Sequence, residues 1–118
     1  MHFPHMETLD RDQVLKDFHD AVNMTASEIE RWLKTPESRE VGWKGEDGGD
    51  AESVGHASGR KIASILRNGH AKLSPADYDH MRKVTGYVHR HLAQRPKEVE
   101  HSHWRYSLMN WGHDPLKN

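Results

Sequence analysis

The 118-residue chain contains no cysteine, which excludes disulfide scaffolds, thiolate zinc sites and a cysteine nucleophile. It also lacks any apolar run of about 18 residues, the length that a membrane-spanning helix needs. The opening MHFPHMETLD has no basic stretch followed by an apolar one, so a secretory signal is not indicated. We therefore expect a cytoplasmic protein that makes no membrane contact.

Large apolar side chains are scarce. Leu, Ile, Val and Phe together form about 17% of the chain, less than the roughly 20% below which disorder is suspected. Disordered chains of that composition also carry a high net charge, whereas the formal net charge here is −1. Because the length suits one domain, we expect a single compact domain over 1–118 with a thin core.

The small net charge conceals a strong partition along the chain. Residues 1–54 contain 6 Lys or Arg and 13 Asp or Glu, residues 55–97 contain 9 and 2, and residues 98–118 contain 2 and 3. Such asymmetry indicates an interaction surface on the basic segment. An alternative stays open, in which the acidic and basic parts of one fold neutralise each other.

Two helices are predicted in the acidic part. Asp10 and Gln13 resemble a capping box that opens a helix over about 11–23. Thr25 and Glu28 form a second box before a second helix. Thr35-Pro36 then ends or redirects the chain, because proline cannot continue a helix.

A glycine-rich and acidic segment, WKGEDGGDAES at 43–53, separates the two parts. It has almost no apolar side chain to offset the entropy lost on ordering, so we predict a mobile loop. The apolar stripe of Ile62, Ile65 and their neighbours predicts a third helix after it. This helix should begin at Ser58 or a neighbour and end at Gly69, where a left-handed cap is expected.

The fourth helix begins with a strong signal, Ser74-Pro75-Ala76-Asp77, and should run to about Ala93. A wheel of 100° per residue gathers its apolar residues on one arc, and these are Tyr78, Met81, Val84, Thr85, Val88 and Leu92. Three cations lie on another arc around Gly86, and these are Arg82, Lys83 and Arg90. The helix can therefore bury one side and present a cationic side.

The segment 98–118 is expected to dock on the other helices. Trp104, Leu108 and Trp111 recur at helical spacing, which is typical of a short core-packing helix that Gly112 and Pro115 end. No sustained alternation of period two occurs, so the predicted fold is all-α, a bundle of about five helices.

Three runs carry a resemblance to a known family, SVGHASGRKI at 53–62, DYDHMRKVTGYVHRHLAQRP at 77–96 and WRYSLMNWGHDPLK at 104–117. With them, the chain from EIERWL at 28–33 to its end resembles the domain of unknown function 3140 family. Some members of that family are labelled DNA-binding proteins, so the resemblance implies DNA as a partner. It implies no particular functional residues.

The cations of 55–97 suggest a surface that contacts nucleic-acid phosphates with little base readout. The candidate residues of this surface are Arg60, Lys61, Arg67, Arg82, Lys83, Arg90 and Arg95. The alternative is a protein-interaction module, including a homodimer, in which acidic helices meet these basic ones. If the cations are neutralised internally, Gly86 would instead serve close helix packing.

Two further motifs are weighed against ordinary structural roles. GHASGRK at 55–61 departs from the Walker phosphate loop in both spacing and ending, so we expect a glycine-rich helix start, with an anion there as the alternative. His89 with His91, and His101 with His103, suggest a metal site as a second functional alternative, but residues two apart on a helix diverge. We assign no metal, no cofactor and no enzymatic activity.

Overall fold

A computed structural model of the protein describes residues 4–41, 52–69 and 72–117. Those residues form six α-helices and no strand, which confirms the all-α prediction. The helices are α1 (Pro4–Ala21), α2 (Ala26–Leu33), α3 (Pro36–Glu40), α4 (Val54–Asn68), α5 (Pro75–Leu92) and α6 (His103–Asn110). No helix within the described ranges is long and apolar enough to cross a membrane.

The start of α1 differs from the prediction. The helix begins at Pro4 rather than near residue 11, so Asp10 and Gln13 lie inside it and form no capping box. Proline suits the first turn of a helix, because its fixed φ is helical and its missing N–H would have no partner there. The pair predicted as a cap was therefore a weaker signal than the proline upstream.

The second capping box is confirmed. The Glu28 amide donates to Thr25 Oγ1 at 3.1 Å, and the Thr25 amide donates to Glu28 Oε1 at 2.8 Å. Thr35 then caps the short helix α3 by accepting from the Ser38 amide at 3.2 Å. Thr35-Pro36 thus redirects the chain into an additional helix, which the apolar pattern was too short to predict.

Helix α4 begins at Val54, four residues earlier than Ser58. Ser53 is its cap, since Ser53 Oγ accepts from the His56 amide at 3.0 Å. Gly55 and Gly59 consequently lie in the first two turns, so the glycine-rich segment 55–61 starts the helix from inside it and does not precede it. The predicted mobile loop at 43–53 falls mainly on 42–51, which lie outside the described residues.

The later boundaries follow the sequence closely. Gly69 has φ +72° at the end of α4, a conformation that favours glycine. Ser74 and Asp77 form the capping box of α5, which ends at Leu92. Helix α6 ends at Asn110, and Gly112 follows with φ +84°.

Two packed helix pairs form the core, and α6 contacts both pairs. Helix α1 packs along α5, α2 packs along α4, and α6 contacts α2, α3, α4 and α5. The largest fully buried apolar side chains come from five helices, and these are Phe18, Ile29, Ile62, Met81 and Leu108. Trp104 and Trp111 are 9% and 6% exposed, which confirms their predicted place in the core.

Candidate nucleic-acid interface

Arg60 and Arg67 of α4 are both held by carboxylates. Arg60 binds Glu52 just before α4, with its Nε 2.9 Å from Oε2. Arg67 reaches across to Glu30 of α2, again with Nε 2.9 Å from the carboxylate. The hydrogen bond from Arg60 lowers the pKa of Glu52 to about 2, and that from Arg67 lowers the pKa of Glu30.

Lys61 and Arg82 are ion-paired as well. Lys61 Nζ lies 2.9 Å from Asp77 Oδ1. The pKa of Asp77 is lowered, chiefly because its carboxylate accepts the Ser74 amide and next because Lys61 donates to it. Arg82 binds Asp10 of α1 and also Asp79, at 3.3 Å from Nη1 to Oδ1.

These pairs divide the candidate cations among different neighbours. Arg60 and Arg67 lie on the side of α4 near α2, Lys61 meets the start of α5, and Arg82 meets α1. The four cationic side chains remain 43–63% exposed, so the pairs of Arg60, Arg67 and Arg82 contribute little stability while reducing the local charge. The partner of Lys61 differs, because the Asp77 carboxylate is nearly buried. Arg67–Glu30 and Arg82–Asp10 join the basic segment to the acidic helices, as the neutralisation hypothesis expects.

Lys83, Arg90 and Arg95 are different. All three are exposed, and none has an ion pair within residues 4–41, 52–69 and 72–117. Lys83 and Arg90 are two turns apart on one side of α5. Arg95 lies beyond the helix with its guanidinium 5.5 Å from the centre of the Trp104 ring, a cation–π contact.

Gly86 lies between Lys83 and Arg90 on α5. A Cβ placed there would meet the Arg90 guanidinium, at 2.9 Å from Nη1. No atom of another described helix is among the nearest neighbours of that position, so the interpretation of Gly86 as a helix-packing glycine is wrong. Its missing side chain instead leaves room for the Arg90 guanidinium to lie against the helix.

An open groove of about 560 Å³ separates the first halves of α4 and α5. It brings together two of the candidate residues, Lys61 and Lys83, with His80 on the same wall. His80 Nε2 is 2.9 Å from Ser58 Oγ. Burial lowers the pKa of His80, and the nearby Lys83 and Lys61 lower it further.

A stack of rings joins α5 to α6 beneath this surface. The rings follow one another at 4.3–6.1 Å between centroids, and their order is His80, Trp111, Tyr87, His91 and Trp104. Trp104 Nε1 also donates to the His91 carbonyl at 2.6 Å. The two tryptophans are therefore enclosed, and their faces are not offered to nucleic-acid bases.

Sequence reasoning missed the α5 members of this stack. His80, Tyr87 and His91 recur at intervals of seven and four residues, which places them on one side of a helix. The signal was present, but polar rings on a half-buried face resemble solvent-exposed residues.

His91 is the unusual member, because its Nε2 is buried and has no hydrogen-bond partner among the described residues. Burial lowers the pKa of His91, since a charged imidazole there would lose its hydration. His89, two residues earlier, is exposed. The two imidazoles thus occupy different environments, and the described residues contain no group of three or more His, Asp or Glu side chains able to hold a metal ion.

The stability of the fold should fall as the pH drops below about 6.5, the ordinary histidine value. His80 and His91 have lowered pKa values in the native state, so the unfolded chain binds more protons in this range. The contribution of the two neutral histidines to the free energy of unfolding is fully present above about pH 6.5, and it is lost as the pH falls through their lowered native-state pKa values. Urea unfolding at about pH 7.5 and about pH 5.5 measures the difference.

The two histidines of the H-x-H pair provide a matched comparison for this effect. His91→Phe keeps a ring in the stack without a titrating group, so the loss between the two pH values should shrink. His89→Gln removes an exposed imidazole and should leave the loss unchanged. Equal stability of the unaltered protein at both pH values would contradict the expectation.

Comparison with known proteins identifies the family. No curated protein and no solved structure matches the chain. Residues 17–109 match the family described as Protein of unknown function (DUF3140). The match covers most of the chain; it begins before EIERWL at 28–33 and ends within the run at 104–117. The chain therefore belongs to the DUF3140 family.

Proposed function

We propose that this protein binds nucleic acid, with DNA favoured, through phosphate contacts made by the outer side of α5. The observation that carries the proposal is the set of Lys83, Arg90 and Arg95, which are exposed cations without carboxylate partners in the described part of the chain. Unpaired cations are the groups that gain most from a phosphate, because no existing ion pair has to be broken.

The spacing of these cations suits a phosphate backbone. Lys83 and Arg90 are two helical turns apart, which is about 10.5 Å along the axis of α5. That distance corresponds to about three nucleotide steps of one strand, at about 3.4 Å each.

The ion-paired candidates have a secondary role in this proposal. Exposed pairs are worth roughly 0–1 kcal/mol, so Arg60, Arg67 and Arg82 can exchange a carboxylate for a phosphate at small cost. Lys61 exchanges less readily, because its partner Asp77 is nearly buried. Phosphate contacts position the protein without reading sequence. Little base preference is therefore expected.

Affinity should fall steeply with salt. Three phosphate contacts predict a slope of about −2.7 in log affinity against log salt, or a loss of about 40-fold between about 50 and 200 mM. Arg90→Glu removes one contact, so the slope should become shallower, about −1.8, and binding should be weaker at every salt concentration. Fluorescence anisotropy with labelled duplex and single strands measures both quantities.

Arg31→Glu is the matched control. Arg31 is an exposed arginine of α2 without an ion pair in the described residues, so the substitution makes the same charge change away from α5. Its effect on affinity should be small. Absence of binding at about 20 mM salt, or equal losses in the two variants, would overturn the proposal.

The second candidate function is a protein-interaction or homodimeric module. The observation favouring it is that Arg67–Glu30 and Arg82–Asp10 already pair the basic segment with acidic helices, and the same surfaces can pair between chains. Light scattering across ionic strength distinguishes the candidates. A salt-sensitive dimer without nucleic-acid affinity would favour this second function.

A further inference from the structure

A separate cationic pocket lies where α2, α3 and α4 meet, on the other side of α4 from the groove described above. Its volume is about 550 Å³, within the range of small-molecule sites, which is about 300–1,000 Å³. The side chains that carry the argument are Leu33, Lys34, Arg39, His56, Arg60 and Ala63.

The walls of this pocket hold a surplus of positive charge. Lys34 and Arg39 are exposed, and neither has an ion pair within the described ranges. Glu30, the acidic residue on the wall, is already held by Arg67. The charge of Arg60 is balanced by Glu52, so Lys34 and Arg39 leave about two positive charges without a counter-ion.

His56 connects the helices that form this pocket. Its Nε2 lies 2.8 Å from the Leu33 carbonyl at the end of α2, and its Nδ1 contacts the Glu52 carboxylate. These contacts order the α2–α4 side of the pocket.

The chemistry of the pocket selects an organic dianion. Arginine guanidinium groups bind phosphate with paired N–H donors, and a dianionic phosphate matches the two unbalanced charges. Leu33 and Ala63 are nearly buried, so the apolar part of the lining that an inorganic ion would leave unused comes chiefly from the aliphatic stems of the cationic side chains. We propose that this pocket binds a small organic phosphate monoester, with its phosphate at Lys34 and Arg39 and its organic part against those aliphatic stems.

The sequence obscured this site because its cations are distant from one another along the chain. Lys34 and Arg39 belong to a segment with twice as many acids as bases, and Arg60 follows about twenty residues later. The turn at Thr35-Pro36 leads into α3, which packs against α2 and α6, and Lys34, Arg39 and Arg60 consequently line the same pocket. The proposal is independent of the nucleic-acid surface on α5.

Calorimetric titration of the full chain with phenyl phosphate, in a phosphate-free buffer of low ionic strength, tests the proposal. One-to-one binding is expected, with phenol giving no heat because it lacks the phosphate. Inorganic phosphate should bind more weakly than phenyl phosphate, since it leaves the aliphatic stems of the lining side chains uncovered. Arg39→Glu should reduce the affinity for phenyl phosphate at least about tenfold, because it replaces attraction by repulsion.

Arg31→Glu and Lys83→Glu serve as controls for this titration. Arg31 lies on α2 outside the pocket and Lys83 on α5, so each should change the affinity less than about twofold. No binding at about 10 mM phenyl phosphate would overturn the proposal. So would a loss in either control equal to that in Arg39→Glu, since binding would then follow net charge and not this pocket.

Discussion

Replacing Asn110 with alanine is expected to cost about 3–5 kcal/mol in the free energy of unfolding. The Asn110 side chain is 1% exposed and joins α6 to two other helices. Its Oδ1 accepts from Trp32 Nε1 at 2.7 Å and from Ser38 Oγ, and its Nδ2 donates to the Ser38 carbonyl at 3.0 Å. Alanine would leave all three partner groups without this bond in a place that water reaches poorly.

The measurement is urea unfolding of Asn110→Ala beside Asn68→Ala. Asn68 is an exposed residue at the end of α4, so its replacement should change stability by less than about 0.5 kcal/mol. Ser38→Ala removes a single hydroxyl bond and should cost about 1–2 kcal/mol, which keeps the test informative if Asn110→Ala does not fold. A cost for Asn110→Ala as small as that for Asn68→Ala would show that the network is not stabilising.

Two glycine-to-alanine substitutions within helices should have opposite effects on stability. A Cβ at Gly59 of α4 would lie 2.8 Å from the Asn110 carbonyl oxygen and 2.8 Å from Leu33 Cδ2. Because the first is a backbone atom of another helix, the helices must separate, and we expect a net loss of about 1–3 kcal/mol. At Gly86 of α5 the new methyl group meets the end of the flexible Arg90 side chain.

Gly86→Ala should therefore stabilise the protein, by up to about 1 kcal/mol, because alanine favours the helix more than glycine does. Thermal unfolding of the two variants in one buffer measures both effects. Because both variants replace a glycine inside a helix by alanine, each serves as the control for the other. Stabilisation by Gly59→Ala would disprove the close approach of α4 to Leu33 and Asn110.

These two glycines illustrate where the sequence-based predictions succeeded and failed. Both glycines lie inside helices, and Gly59 differs locally in having Gly55 one turn earlier on the same side. The sequence interpretation gave Gly59 a place at a helix start and allowed Gly86 a packing role, and the structure reverses the two. Only the position of a second helix decides which missing side chain is needed for packing.

Capping residues and apolar arcs were predictable because they act within one or two turns. The boxes at Thr25 and Ser74 and the positive φ of Gly69 depend on neighbours three or four residues away. The same local rules failed at Asp10, where an upstream proline begins the helix, and at Ser58, where Ser53 provides the cap. Short-range signals locate a helix more reliably than they choose between two possible starts.

The sequence by itself determined the all-α fold, most of the helices and the separation of acidic from basic segments, since each depends on residue order and composition. Tertiary structure decided which cations keep an unbalanced charge. Ion pairing depends on distances of a few ångströms between residues far apart in the chain, as in Arg67–Glu30 and Arg82–Asp10. Packing of α1 on α5 and of α2 on α4 sets those distances, and it leaves Lys83 and Arg90 on one surface and Lys34 and Arg39 on another.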